Sequence, residues 1–324
     1  MNKKNYKKIH KNLLEWYQSN GRTTLPWRVT NNPYKIYLSE IMLQQTQVKT
    51  VLERFYFQFL QQFPSLESVA LAQENNILKA WEGLGYYTRA RNLHKTAQAT
   101  QGKLPTTAEE LEKLSGIGKS TAHAVACFAF NESLPILDAN VKRILYRFFA
   151  IKKCTDKELW EKAFILFDKE NSYIYNQSMM DIGSQICTHK SPHCKECPFQ
   201  LQCAGQDQPL TYPEKKIKKI KPIKKYFILV KKHHNTYALK QNSSNLLGGL
   251  WAFEQAETVL LKNFDIIGNL VQHYSHFKLE ATIILINQKD KESQEYFTIQ
   301  EIDKLALSNA DKKVLSIIKK MSYN

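Results

Sequence analysis

The chain has 324 residues, 43% of them hydrophobic, with 46 Lys and Arg against 30 Asp and Glu and a net charge of +16. Its length favours two domains over a single core, and its charge favours a polyanionic partner through steering and counterion release. The basic start MNKKNYKKIHKNLLEWY lacks an apolar segment, so no signal peptide is expected. Nowhere does an apolar run reach the roughly 18 residues that a membrane span needs. Six cysteines in this setting fit a reducing cytoplasm, not a disulfide-stapled secreted protein.

Residues 1 to about 205 carry helical periodicity, in Tyr6–Ser19, Ile36–Phe63, Ala108–Leu114, Ser120–Phe130, Asn140–Phe149 and Lys157–Phe167. Turn signals separate them, as at Gly102–Pro105 and Gly116–Gly118. Asn32 and Pro33 suit a helix start, and Glu40 follows among Ile36, Tyr37, Ile41 and Leu43. A carboxyl in that company should have a raised pKa and suit proton donation, although a surface Glu on an amphipathic helix is the plain alternative.

Leu111–Phe130 sets Gly-Ile-Gly between two helical patterns. Gly116 and Gly118 allow a tight turn with exposed amides, and the next helix opens at Lys119, Ser120 and Thr121 with its dipole toward an anion. This predicts a sequence-independent phosphate clamp; glycines serving only helix packing are the alternative. Further on, Asp138 follows Pro135-Ile136-Leu137, and either it or Asn140 is placed to cap the helix after it. A capping Asp stays ionised, which suits stabilising a cationic transition state. One neutral acid and one anion are what glycosidic cleavage requires.

Cys187, Cys194, Cys197 and Cys203 are spaced C-x6-C-x2-C-x5-C. Four soft ligands in one loop favour a [4Fe-4S] cluster, with structural zinc and disulfides as lesser alternatives. Cys127 reads as core, and Cys154 stands alone. Residues 208–225, rich in lysine and proline, read as a solvated linker. From Tyr226 short strand patterns appear, in YFILVKK, NTYALKQ, GNLVQHYSHF and LEATIILINQ, before a helical end over Lys304–Met321.

The chain resembles the adenine-specific mismatch glycosylases of the MutY type, within the helix-hairpin-helix, iron–sulfur glycosylase superfamily. The resemblance rests on LPWR (25–28), NPYKIYLSEIMLQQTQV (32–48), WEGLGYYTRARNLHKTA (81–97), LSGIGKSTA (114–122), PILDANVKR (135–143) and NQSMMDIGSQIC (176–187). The remaining cysteines, LLGGLWAFE (246–254) and HYSHFKLE (273–280) extend it over essentially the whole chain. It implies a mainly α helix-hairpin-helix glycosylase region with an iron–sulfur cluster loop, and a small α+β Nudix-like C-terminal domain. The implied division is 1–207, including the cluster loop 187–203, then linker 208–225 and an 8-oxoguanine recognition domain 226–324.

The activity so implied is monofunctional hydrolysis that releases adenine paired with 8-oxoguanine or guanine in duplex DNA, by a monomer in the bacterial cytoplasm. Glu40 matches the acid that protonates adenine at N7, Asp138 the carboxylate that stabilises the oxocarbenium ion, and Asn140 a neighbour that orients them. Gln45 and Tyr86 match duplex-wedging positions, with Gly83 and Gly85 expected to turn the chain so that Leu84 and Tyr86 are presented to DNA, and Ser275 and His276 match the reader of 8-oxoguanine. Arg28, Gly116, Gly118, Lys119 and Ser120 are the expected backbone contacts. The endonuclease-III-like branch would have a lysine nucleophile where this chain has Ser120. The second domain lacks a full Nudix box, so pyrophosphate hydrolysis is not expected. Ala139 replaces a usual glycine, and His123 stands where glycine is common. A noncatalytic lesion sensor on the same scaffold would leave Glu40 and Asp138 without a shared purpose.

Overall fold

A computed structural model of the chain describes residues 3–214, 220–243, 247–259, 264–291 and 294–322. Linker residues 215–219 and Leu246 of the LLGGLWAFE segment lie outside these. The helices begin with α1 (Lys3–Asn20), α2 (Pro33–Leu43), α3 (Val48–Arg54), α4 (Tyr56–Gln62), α5 (Leu66–Leu71), α6 (Glu74–Ala80) and α7 (Thr88–Ala99). They continue as α8 (Ala108–Glu112), α9 (Lys119–Phe130), α10 (Ala139–Phe148), α11 (Asp156–Leu166) and α12 (Ser172–Gln185). Strands β1 (Ile223–His233), β2 (Thr236–Gln241), β3 (Trp251–Ala252), β4 (Glu254–Ala256), β5 (Asp265–His273), β6 (Lys278–Asn287) and β7 (Glu295–Phe297) follow. Helices α13 (Ile299–Ile302) and α14 (Asn309–Ser322) end the chain.

The chain forms two compact units, residues 1–44 with 103–217 and residues 45–102 with 218–324. In the first unit α10 and α12 pack together, and α1 packs on α12. Their apolar faces meet in a core that includes Leu13, Ile144, Leu145, Phe148, Leu159, Met179 and Ile182. A smaller cluster of Ile36, Ala124, Cys127, Phe128 and Ile136 joins α2 to α9, so Cys127 is core as expected. Asn32 caps α2 by accepting from the Lys35 amide at 3.1 Å, with Pro33 at its first position.

The expected continuous periodic segment Ile36–Phe63 is broken. Helix α2 stops at Leu43, Gln45 takes φ +58°, and the chain restarts as α3 and then α4. Periodicity survives such a break because the apolar positions on both sides still face inward.

In the second unit β6 pairs parallel with β1 over Ile223–Lys232 and antiparallel with β5, while β2 and β4 pair antiparallel with β1. Strand β1 starts at Ile223, inside the stretch read as linker. Helix α14 packs against β5, and Val314 and Ile318 close a core with Ile228, Val230 and Ile283. The segment 45–102 is tied into the same unit by side chains. Glu82 accepts from the Leu307 amide at 3.1 Å and pairs with Lys312 at 2.9 Å, while Lys79 donates to the Leu305 carbonyl at 2.9 Å.

Gly102 ends α7 with φ +79°, and an added Cβ would stand 2.8 Å from the Glu67 Cα and 2.9 Å from its amide nitrogen. Gly102→Ala should therefore lower stability by about 2–4 kcal/mol, from left-handed backbone strain plus overpacking. Urea unfolding checks this, and a loss within about 0.5 kcal/mol would refute the close contact.

Candidate active site

Helix α2, the link 131–138 and helix α10 bring Glu40 and Asp138 into electrostatic reach in the first unit. Burial pushes the Glu40 carboxyl up, the nearby Asp138 charge adds to this, and Arg28 opposes it; the result is about 7. That value holds a proton near neutrality. Asp138 caps α10, its Oδ1 accepting from the Val141 amide at 2.7 Å and its Oδ2 from Asn140 Nδ2 at 3.4 Å. Burial raises its pKa too, but the Val141 and Asn140 hydrogen bonds and the Arg143 charge pull it back. These donors offset only part of the burial, so the Asp138 carboxyl also stays above its ordinary value.

Asn140 is itself held. Arg143 Nη2 donates to Asn140 Oδ1 at 2.8 Å, and Arg143 Nε donates to the Cys187 carbonyl at 2.7 Å. Gly183 on α12 lies against Asn140 so closely that a Cβ there would be 2.5 Å from the Asn140 Cβ. Arg143 and Gly183 were missed by sequence reasoning, although both sit in segments that carried the resemblance. Ala139 opens α10 as its first helical residue and is not among the positive-φ positions, so its methyl brings no strain.

Arg28 is placed differently from the expectation. Its side chain is 4% exposed, and both terminal nitrogens donate to Asp181, at 2.7 and 2.8 Å. Arg22 also donates to Asp181, from Nε at 2.7 Å and from its amide at 2.9 Å. Burial pushes the Asp181 carboxyl up, yet these guanidinium bonds outweigh it and hold the group below its ordinary value. Arg28 is thus an interior charge facing Glu40 and Asp181, with no surface for a phosphate.

The hairpin turn lies at the surface. Gly116 takes φ +74° and Ile117 is buried, while Gly116, Gly118 and Lys119 are exposed and Ser120 is half-buried. Gly118 precedes α9 without a side-chain cap, and a Cβ there would meet nothing within 4 Å. Open space at that glycine argues against a packing role and leaves the helix amides free to face an anion. The Lys119 ammonium sits 4.6 Å from the Trp160 ring centroid.

In the second unit, Gln45 is exposed, and Tyr86 is 47% exposed at φ +50°. Leu84 differs from the expectation: it is 6% exposed and packs inward, because Gly83 and Gly85 turn the chain so that Tyr86 alone projects. Arg89 braces this turn, donating to the Leu84 and Gly85 carbonyls at 3.3 and 3.1 Å and to Thr46 at 3.2 Å. Ser275 and His276 are exposed on the turn between β5 and β6, and the Ser275 hydroxyl lies 3.0 Å from the Tyr86 hydroxyl.

The expected iron–sulfur cluster is not upheld. Cys187, Cys194, Cys197 and Cys203 line one cavity with Arg147, but among the described residues no group of three or more His, Cys, Asp or Glu could hold a metal ion. Burial raises the Cys197 thiol to about 12 and the Cys203 thiol to about 11. All four are free, which also removes the disulfide alternative. Arg147 orders the cysteine loop, donating to the Thr188 carbonyl at 2.7 Å and to Cys187 Sγ at 3.3 Å.

Residues 38–167 match the model of the HhH-GPD superfamily base excision DNA repair proteins. The chain is 34% identical to the adenine DNA glycosylase of Buchnera aphidicola subsp. Schizaphis graminum, over 95% of this chain and 97% of that one. The chain belongs to the adenine DNA glycosylase branch of the HhH-GPD superfamily. It is also 36% identical to the Homo sapiens adenine DNA glycosylase, over 60% of this chain and 39% of that protein. Among solved structures it resembles a thermostable thymine-DNA glycosylase with a TM-score of 0.58 at 28% identity, covering 63% of this chain and 98% of that one. The glycosylase is monofunctional, a hydrolase of DNA N-glycosidic bonds that acts in base excision repair.

Glu40 carries a stability consequence. Its folded pKa of about 7 lies above the ordinary 4.5, so the folded state loses stability as pH rises from about 4.5 through 7. Glu40→Gln should remove this cost and be more stable than wild type at pH 8, by up to about 3 kcal/mol. Denaturant unfolding at pH 8 and pH 5.5 checks the sign; a gain that fails to shrink at the lower pH would remove the assignment.

Proposed function

We propose that this glycosylase hydrolyses the N-glycosidic bond of adenine mispaired with 8-oxoguanine or guanine in duplex DNA. One observation carries the reading: two half-buried carboxyls lie within electrostatic reach, and one is raised to about 7 while the other receives hydrogen bonds from Val141 and Asn140. Glu40 gives its proton to adenine N7, and the bond between the sugar C1′ and N9 breaks with its electron pair leaving on the base. Asp138, as the anion, stabilises the oxocarbenium ion, and Asn140 orients it. Glu40, now ionised, takes a proton from the water that adds to C1′, which returns the acid to its starting state.

DNA binding divides by residue. The amides at Gly116, Gly118 and Ser120, with Lys119, hold backbone phosphate. Gln45 and Tyr86 fill the stack vacated by the extruded adenine, a role favoured by their exposed positive-φ positions. Ser275 and His276 read the 8-oxoguanine edge by hydrogen bonding. In this reading residues 1–207 perform the chemistry, 208–225 link, and 226–324 recognise the lesion. The protein acts as a monomer on the bacterial chromosome in the cytoplasm.

Single-turnover reactions on duplexes carrying A opposite 8-oxoguanine, G, C and T test the reading. Free adenine should appear from the first two without a strand break, and Glu40→Gln should slow release about 10³-fold or more with duplex binding retained. Unchanged cleavage by that variant would defeat the acid assignment. The wild-type rate should fall above pH about 7 as Glu40 loses its proton, and fall again at acidic pH as Asp138 gains one. A rate that climbs steadily to pH 9 contradicts the division of roles. Replacing Ser275 and His276 with Ala should erase the preference for 8-oxoguanine over G; equal losses on both duplexes would mark the turn as structural.

A further inference from the structure

We propose that His123 and Asn176 are positioning residues that hold the link 134–137 from two helices, α9 and α12, and thereby fix Asp138 at the reacting centre. This rests on the adenine-release reading above. Residues 131–138 join α9 to α10 without belonging to a helix or strand, so no regular ladder holds the backbone that delivers Asp138. Its polar groups still need partners, because Pro135, Ile136 and Leu137 are buried. Side chains supply them.

From α9, His123 Nδ1 lies 2.7 Å from the Pro135 carbonyl. A carbonyl only accepts, so Nδ1 carries the proton and the tautomer is fixed. The imidazole is 6% exposed, with its centroid 5.0 Å from the Trp160 ring and 6.5 Å from Phe164, so its plane is held as well. From α12, Asn176 is 1% exposed; its Nδ2 donates to the Leu134 carbonyl at 2.8 Å and its Oδ1 accepts from the Ile136 amide at 2.9 Å. Three consecutive residues are thus fixed by two side chains from two helices, and Asp138 follows two residues beyond the last of them. Both jaws belong to the same compact unit as Glu40 and Asp138. A glycine at position 123 would leave the Pro135 carbonyl without this donor.

Displacement of a reacting group by about 1 Å can cost on the order of 10²-fold in rate, so a slack link should register in catalysis before it registers in binding. The test compares wild type, His123→Leu, His123→Asn and His123→Gln on a duplex with A opposite 8-oxoguanine, reading single-turnover adenine release, duplex Kd and thermal midpoint. Amide hydrogen exchange at Ile136 and Val141 is followed in the same proteins. Asn carries its N–H near the position of Nδ1, whereas Gln carries it one bond farther out.

His123→Leu should slow release about 10-fold with Kd within about twofold of wild type, and exchange at Ile136 and Val141 should quicken about 10-fold. His123→Asn should recover most of the rate and protection, and His123→Gln clearly less. An unchanged rate or unchanged exchange in His123→Leu overturns the clamp, as does equal behaviour of Asn and Gln. Should the wild type release no adenine while exchange still quickens in His123→Leu, the substrate reading fails and the clamp stands on the exchange data.

Discussion

The structure depends on two half-buried carboxyl groups held within electrostatic reach of each other. Two such groups cannot both ionise cheaply away from water, so the surroundings must decide which keeps its proton. The decision is made with hydrogen-bond donors. Asp138 sits at the start of α10, where a backbone amide is available without further cost, and it takes the Asn140 amide as well. Glu40 lies in the interior of α2, where every backbone amide is engaged along the helix, and burial with the neighbouring charge pushes it upward. One helix start and one helix middle thus give two carboxyls of nearly identical chemistry different surroundings.

Around that pair the first unit is built to suppress movement. Arg143 and Gly183 confine Asn140, and the Arg28–Asp181–Arg22 group locks a guanidinium facing Glu40 into a buried ion cluster. Breaking such a cluster from one side leaves an uncompensated interior charge, which is why it fixes geometry more than it adds stability. Arg28 also restrains Glu40 from rising further, so its interior position has a chemical purpose as well as a structural one.

The second unit brings two exposed turns together. Gln45 and Tyr86 occupy backbone conformations that L residues seldom adopt, and Tyr86 stands between glycine-enabled turns braced by Arg89. Left-handed non-glycine residues persist only where the surroundings hold them, and they concentrate at functional positions. Ser275 reaches the same Tyr86 hydroxyl from the β5–β6 turn. The segment 45–102 shares its unit with the C-terminal sheet, although almost 120 residues separate the two stretches in the chain.

The sequence by itself determined the helical first part, the strand-rich second part, the hairpin, a cap at Asp138 or Asn140 and the apolar company of Glu40, because each is written in local pattern and spacing. It misjudged what depends on where side chains end up. Arg28 reads as a surface cation next to Trp27 until Asp181, from α12, is found beneath it. Leu84 reads as displayed until two positive-φ glycines turn it inward. Four closely spaced cysteines read as a metal centre, whereas a ligand set is a matter of convergence in space, and among the described residues none is assembled. The link from α9 to α10 has no pattern of its own, and its partners His123 and Asn176 come from α9 and α12. Tertiary structure alone decided those pairings and the coupling of Glu40 to Asp138, since burial and the field of a neighbour depend on distance through space and not on separation along the chain.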